Sequence, residues 1–179
     1  MTLLIVFGSI FAVVIWGWTG LNWNVMLETG NYLPVITHIF VPADLSHLIL
    51  EWILVAMFWH NGYSKRTYGR VQMTLVFFIT CILSGIAAAF LYSASPALER
   101  NLICGCTAGI YGWVGFILPE LIKGKQWKML AKTGALLVFV GVIFFVNLPV
   151  HLIGLLSGCL LKILSAAPKR RDEQWNTTG

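Results

Sequence analysis

The sequence predicts an all-α fold: a polytopic membrane protein whose single domain is a bundle of six transmembrane helices. Three observations predict it. Apolar residues make up 58% and charged residues 11% of the 179, and the mean hydropathy is +0.81, a combination that soluble domains of this size rarely have. The apolar residues gather in six runs, each near or above the roughly 17 residues a helix needs to cross a bilayer. The Lys and Arg residues fall between those runs or towards their ends rather than on one face of a folded domain. The net charge of +5 therefore reads as a topology signal, and a nucleic-acid partner is not expected.

The first run, at about 3–19, follows Met1 without a positively charged leader or a small-residue cleavage site, so it reads as a first spanning helix rather than a removable signal. The loop from about 20 to 44 has no Lys or Arg. It carries Trp23, Tyr32 and Phe40, which read as interfacial anchors; a loop of this length also suits a half-inserted element. The second run, 45–60, is short and is followed by Lys65, Arg66 and Arg70. The third, 71–93, leads into a loop with Arg100 as its sole basic residue. The fourth, 103–121, precedes Lys123, Lys125, Lys128 and Lys132, and the fifth, 129–149, abuts the sixth, 150–166, with no basic residue between them. Lys162, Lys169, Arg170 and Arg171 close the chain. Of the twelve Lys and Arg residues, all but Arg100 fit one topology, with both termini cytoplasmic. The domain then covers 1–166, and 167–179 is a solvated basic tail. Cys81, Cys104, Cys106 and Cys159 all lie in apolar runs, where buried thiols are expected and neither a disulfide framework nor a zinc spacing is suggested.

Ionisable groups inside spans are costly unless paired or wetted, so the few present here are candidates for function. His47 and Glu51 share a helix face at i,i+4 and are placed to interact. His60 falls near the cytoplasmic end of the same run and reads as interfacial, and Glu120 ends the fourth. His47, His151 and Thr107 all enter from the external side at comparable depth. A hydroxyl on one helix and an imidazole on another suit nucleophilic catalysis, in which the imidazole takes the proton and nearby donors steady an oxyanion. The competing reading of Thr107 is a hydroxyl bonded back to a carbonyl one turn earlier in its own helix. Around it, Gly105, Gly109 and Gly112 would let a neighbouring helix approach closely. His47, Glu51 and His151 also have the residue types of a zinc-like site, but no supporting carboxylate is evident and no metal or other cofactor is expected.

The stretch GCTAGIYGWVG resembles the fourth-helix signature of the rhomboid intramembrane proteases, and HLIGLLSG resembles the family's H-x-x-G-x-x-x-G. THIFVPADLSHL is similar to the family's approach to its second span, and RTYG at 66–69 and LSG at 83–85 also look familial. The likeness covers roughly residues 36–160. It implies Thr107 at the position of the serine nucleophile, His151 as the general base and Tyr111 packed on the imidazole. Gly154 and Gly158 would allow the helix approach that joins the pair, and main-chain N–H groups around Thr107 with His47 would hold the oxyanion, with Glu51, Tyr111 and Gly105 at supporting positions. A register shifted by one residue would put Ala108 at the nucleophile, at the expense of the Tyr111 and Gly115 matches.

The chain departs from the family pattern at several positions. Thr107 replaces serine, Glu51 stands where the family has an oxyanion asparagine, Pro42 stands where many members have a histidine, and Lys65 replaces a common acidic residue. The extra methyl of Thr107 restricts its rotamers, and a carboxylate at 51 would repel a developing oxyanion unless it were protonated. Two functions are therefore expected. One is a peptidase that cuts transmembrane or juxtamembrane segments, with water reaching the dyad from the outer face. The other is a rhomboid-like pseudoprotease that binds transmembrane helices as a scaffold or as a subunit of a larger complex. In either case the surroundings are membrane lipids, and a bacterial inner membrane is the expected location.

Overall fold

The computed structural model describes residues 3, 5–10, 23–42, 45–60, 68–94, 103, 105–143 and 148–165. The elements are α1 (Trp23–Thr29), α2 (Pro34–Thr37), a 3-10 turn at His38–Phe40, α3 (Leu45–His60), α4 (Arg70–Ser93), α5 (Thr107–Lys123), α6 (Trp127–Ile143) and α7 (Leu148–Ser165). Residues 5–10 are helical as well. Most of the first expected span, the side chains of Trp23 and His60, and Lys65, Arg66, Arg100, Cys104 and the 167–179 tail lie outside the described residues.

Helices α4 and α7 are long and apolar enough to cross a membrane. At 1.5 Å per residue they measure about 36 and 27 Å, against a hydrocarbon core of about 30 Å. Residues Pro34–Phe40 and Leu45–Phe58 pass the same test together, as one path bent by 83°. By length and composition the described residues thus hold two or three spans, where the sequence reading counts six. Helices α5 and α6 have 17 residues each and α3 has 16. The fourth run, expected from 103, becomes helical only at Thr107. Gly105 stands at φ +83°, outside the helical region, and the chain enters α5 through that turn.

The loop before the second run is largely helical rather than irregular. Tyr32 is exposed, as an anchor would be, but Phe40 packs on the core with its ring 6.1 Å from that of Phe78. Large apolar side chains recur on the outside at helical spacing: Val71, Leu75, Ile79 and Leu83 along α4, and Leu152, Leu156, Leu160 and Ile163 along α7. Continuous apolar faces of that size are unstable in water and suit contact with acyl chains.

Helix α5 occupies the middle of the bundle and is buried from Thr107 through Ile117. Its most extensive packing is with α7, followed by α4. The two partners use different small residues. A Cβ on Gly154 would stand 2.5 Å from the Ala108 carbonyl oxygen, and one on Gly158 would run into the Gly112 carbonyl, so these two glycines set the approach of α7 to α5. Gly109 and Gly112 face α4 instead, where Cys81, Phe77 and Thr80 fill the space their missing side chains leave. Polar atoms in this interior close on nearby groups. The indole N–H of Trp113 donates to the Met73 carbonyl at 2.6 Å, and the hydroxyl of Tyr111 donates to the Leu137 carbonyl at 2.6 Å, tying α5 to α4 and α6.

Candidate active site

The first residue of α5 faces the first turn of α7. Thr107 Oγ1 and His151 Nε2 are 3.0 Å apart, both buried, within ordinary hydrogen-bond range. One turn further along α5, the Tyr111 ring stacks on the imidazole with centroids 4.5 Å apart and planes 4° from parallel. Because the Tyr111 hydroxyl is itself held by Leu137, the ring is fixed at both ends and sets the plane of the imidazole. The small residues place this pair, since Gly154 lies three positions after His151 and sits directly on the Ala108 carbonyl. The pair is closed to solvent by the protein alone: Thr107 is 2% exposed and His151 0%. The sequence reading expects a pocket open to water at this place. Instead Ala108 and Val150, the neighbours of the pair, pack in one cluster with Met26 of α1 and Ile103, and Val35 of α2 lies against it.

Helix α3 approaches the same point from the other side of the Gly105 turn. Glu51, 1% exposed, accepts a hydrogen bond from the main-chain N–H of Cys106 at 2.5 Å, and the N–H of Thr107 also bears on its carboxyl group. The expected i,i+4 interaction with His47 is a contact at 3.5 Å, longer than a hydrogen bond. His47 lies 3.0 Å from where a Cβ on Gly105 would be, and Glu51 Oε1 is closer still, so only glycine fits the turn for reasons of space as well as φ. Cys106, the N-cap position of α5, provides no side-chain cap of its own. Glu51 caps the helix from a distance, satisfying donors that a helix start leaves open. The Cys81 thiol on α4 reaches the Cys106 carbonyl at 3.7 Å, so the thiols are packed parts of this turn, and the described cysteines Cys81, Cys106 and Cys159 are all free.

One residue of this site was not singled out by the sequence reading. The His38 carbonyl accepts the Gly105 N–H at 2.8 Å, and its ring, with Nδ1 2.9 Å from the Pro34 carbonyl, lies against Gly85. A side chain on Gly85 would displace that imidazole, which gives the LSG stretch a physical purpose. His38 is buried. Its position in an apparent loop concealed it; the signal was its neighbourhood, a histidine followed by Ile39 and Phe40 in THIF.

Far along the same helices, Glu120 and Lys162 pair at 2.9 Å, and the Lys162 ammonium lies 4.6 Å from the centre of the Tyr68 ring of RTYG. This cluster joins α5 to α7 well away from Thr107. Among the described residues, no three His, Cys, Asp or Glu side chains are arranged to hold a metal ion, and His47, Glu51 and His151 do not form such a group.

Residues 29–167 match the profile of the Rhomboid domain. Over 167 residues the chain is 27% identical to the "Putative rhomboid protease YdcA" of Bacillus subtilis (strain 168), a match covering 89% of this chain and 80% of that protein. The matched region contains α2 through α7 and every residue of the site. The chain belongs to the rhomboid family and is an integral membrane protein.

Proposed function

We propose that the protein is a rhomboid-type intramembrane peptidase that uses Thr107 as nucleophile and His151 as base to cut a transmembrane or juxtamembrane segment of a membrane-protein substrate. The 3.0 Å approach of Thr107 Oγ1 to His151 Nε2 is the observation that carries this reading. In the first step His151 Nε2 accepts the hydroxyl proton as Thr107 Oγ1 attacks the scissile carbonyl carbon. Main-chain N–H groups around residue 107 and the His47 side chain stabilise the oxyanion, the interaction on which most of the rate depends. His151 then protonates the leaving amine, and water hydrolyses the ester at Thr107 by the same route in reverse. Tyr111 keeps the imidazole in plane through both half-reactions. Because the pair is buried, turnover requires an opening that admits substrate and water. The full architecture is six spans with both termini cytoplasmic, and the dyad lies beneath the opposite leaflet.

The second reading is a pseudoprotease that keeps the helix-binding fold without chemistry. The capping contact of Glu51, at the position where the family pattern has an asparagine, favours it. One substitution separates the two. Purified protein is incubated in detergent and in liposomes with a fluorogenic transmembrane peptide. The peptidase reading expects cleavage, with Thr107→Ser at least as fast and His151→Ala slower by roughly 10⁴-fold or more. Absence of cleavage by Thr107→Ser leaves the pseudoprotease.

A further inference from the structure

A developing oxyanion at Thr107 needs the donors at the start of α5, yet these already have an occupant. Glu51 Oε1 accepts the Cys106 N–H at 2.5 Å, the Thr107 N–H bears on the same carboxyl, and the missing side chain of Gly105 leaves the space in which that oxygen sits. No Lys or Arg among the described residues pairs with it. Its polar surroundings are His47 on its own helix, Cys106 and Thr107 at the turn, Cys81 on α4 and, beyond Thr107, His151 on α7. A helix start with inward-pointing N–H groups is a site for an acceptor, and here the chain supplies one itself in the Glu51 carboxyl group.

We propose that Glu51 is an intramolecular occupant of the oxyanion site: its carboxyl group takes the donors that the tetrahedral intermediate requires, and the site becomes competent only when the carboxyl withdraws. This rests on the peptidase reading and adds to it a block built from this chain's own departure at position 51. The contact that caps α5 is the same contact that obstructs catalysis, so stability and turnover oppose one another at one residue. Methylene count matters here. Asparagine at 51 would be too short to reach the Cys106 N–H in the same way, while its amide would add a donor. Alanine would clear the donors and add nothing.

The experiment uses the full-length protein in detergent with Thr107→Ser as background. The probe is a long-chain alkyl fluorophosphonate, in which the residue-107 oxygen forms a bond to phosphorus, fluoride leaves and the hydroxyl proton passes to His151. Labelling at residue 107 is timed by mass spectrometry, alongside cleavage of the transmembrane peptide and thermal unfolding. Glu51→Ala is expected to label and cut roughly tenfold faster or more than the background, while melting at a lower temperature, and Glu51→Asn faster still. Glu51→Gln keeps the size but puts an NH2 donor in place of one carboxyl oxygen, leaving one acceptor oxygen where the carboxyl has two, so it also labels faster; it serves as the readout if the alanine variant does not fold. Labelling that depends on His151 but is no faster in Glu51→Ala and Glu51→Gln overturns the block and leaves the peptidase standing. If no variant labels or cuts, including those with Glu51 native, the peptidase reading and the block fall together, and Glu51 is a structural cap.

Discussion

Substituting Gly154 by alanine tests the arrangement that brings Thr107 and His151 together. The added Cβ would stand 2.5 Å from the Ala108 carbonyl oxygen and 3.2 and 3.3 Å from its carbonyl carbon and Cα. All three are main-chain atoms of a buried helix, so no side chain can turn aside. Relieving the oxygen contact to an ordinary carbon–oxygen separation requires α7 to retreat by roughly 0.7 Å or more, and overpacking of this kind costs about 1–3 kcal/mol. His151 lies one turn before Gly154 and moves with it. Starting from 3.0 Å, the separation from Thr107 would rise to about 3.7 Å, beyond a useful hydrogen bond, and misplacement on this scale costs roughly 10²-fold in rate. Thermal unfolding in detergent gives the first quantity and peptide cleavage the second. Gly134→Ala on α6 is the matched control, because among the described residues nothing lies within 4 Å of its new methyl; it should be neutral or slightly stabilising. If Gly154→Ala melts with Gly134→Ala and the wild type, the close approach of α5 and α7 does not govern the fold and the placement argument is wrong.

Tyr111→Phe removes the hydrogen bond to Leu137 while keeping the ring on His151, and should lower stability by about 0.5–1.5 kcal/mol with little loss of cleavage, whereas Tyr111→Ala should reduce both; equal cleavage by the two variants would dismiss the stacking role. Gly105→Ala combines a φ of +83° with a collision against Glu51 and should cost more than the 1–3 kcal/mol of backbone strain alone, unlike Gly30→Ala, whose φ is +64° in open space. Thermal melts of the two, compared side by side, give the difference. Lys162→Met breaks the ion pair with Glu120, whose side chain is 41% exposed; the melting temperature should barely move, with cleavage unchanged.

The sequence made some of this legible and hid the rest for physical reasons. Helical periodicity and hydropathy located the cores of α3 to α7, because an apolar run of that length has few other uses. They misplaced the start of α5, since Gly105 looks like one more small helical residue until its φ is known. The motifs gave Gly154 and Gly158 as packing residues and the structure sets them against α5. They did not reveal that Gly109 and Gly112 serve α4, because a stripe of small residues does not name its partner. His38 escaped notice because its importance lies in a main-chain carbonyl and in a ring fitted to Gly85, neither of which leaves a spacing to read. The burial of the Thr107–His151 pair involves α1 and α2, short helices inside what the sequence presents as a loop.

What sets Thr107 apart from the serine and threonine hydroxyls of Ser9, Thr29, Thr37, Thr80 and Ser84 is where its hydroxyl is directed. In an apolar interior a hydroxyl needs a partner, and the cheapest is a carbonyl one turn back in the same helix. Ser9 takes the Ile5 carbonyl, Thr29 that of Val25, Thr37 that of Leu33, Thr80 that of Val76 and Ser84 that of Thr80. Thr107 is the first residue of α5, and the chain before it turns through Gly105, so there is no preceding helical turn to supply that carbonyl. Its hydroxyl contacts the His151 imidazole on another helix. A hydroxyl bonded to its own helix is held by a weak base that cannot accept its proton, whereas one placed at a helix start and directed at an imidazole stands next to a group that can. The glycine turn therefore does two things for one residue: it withholds the local carbonyl, and it leaves Thr107 at the end of α5 that faces the first turn of α7. Moving the start of the helix one turn earlier, as the hydropathy alone suggests, would restore the local carbonyl and make Thr107 the same kind of residue as Thr80.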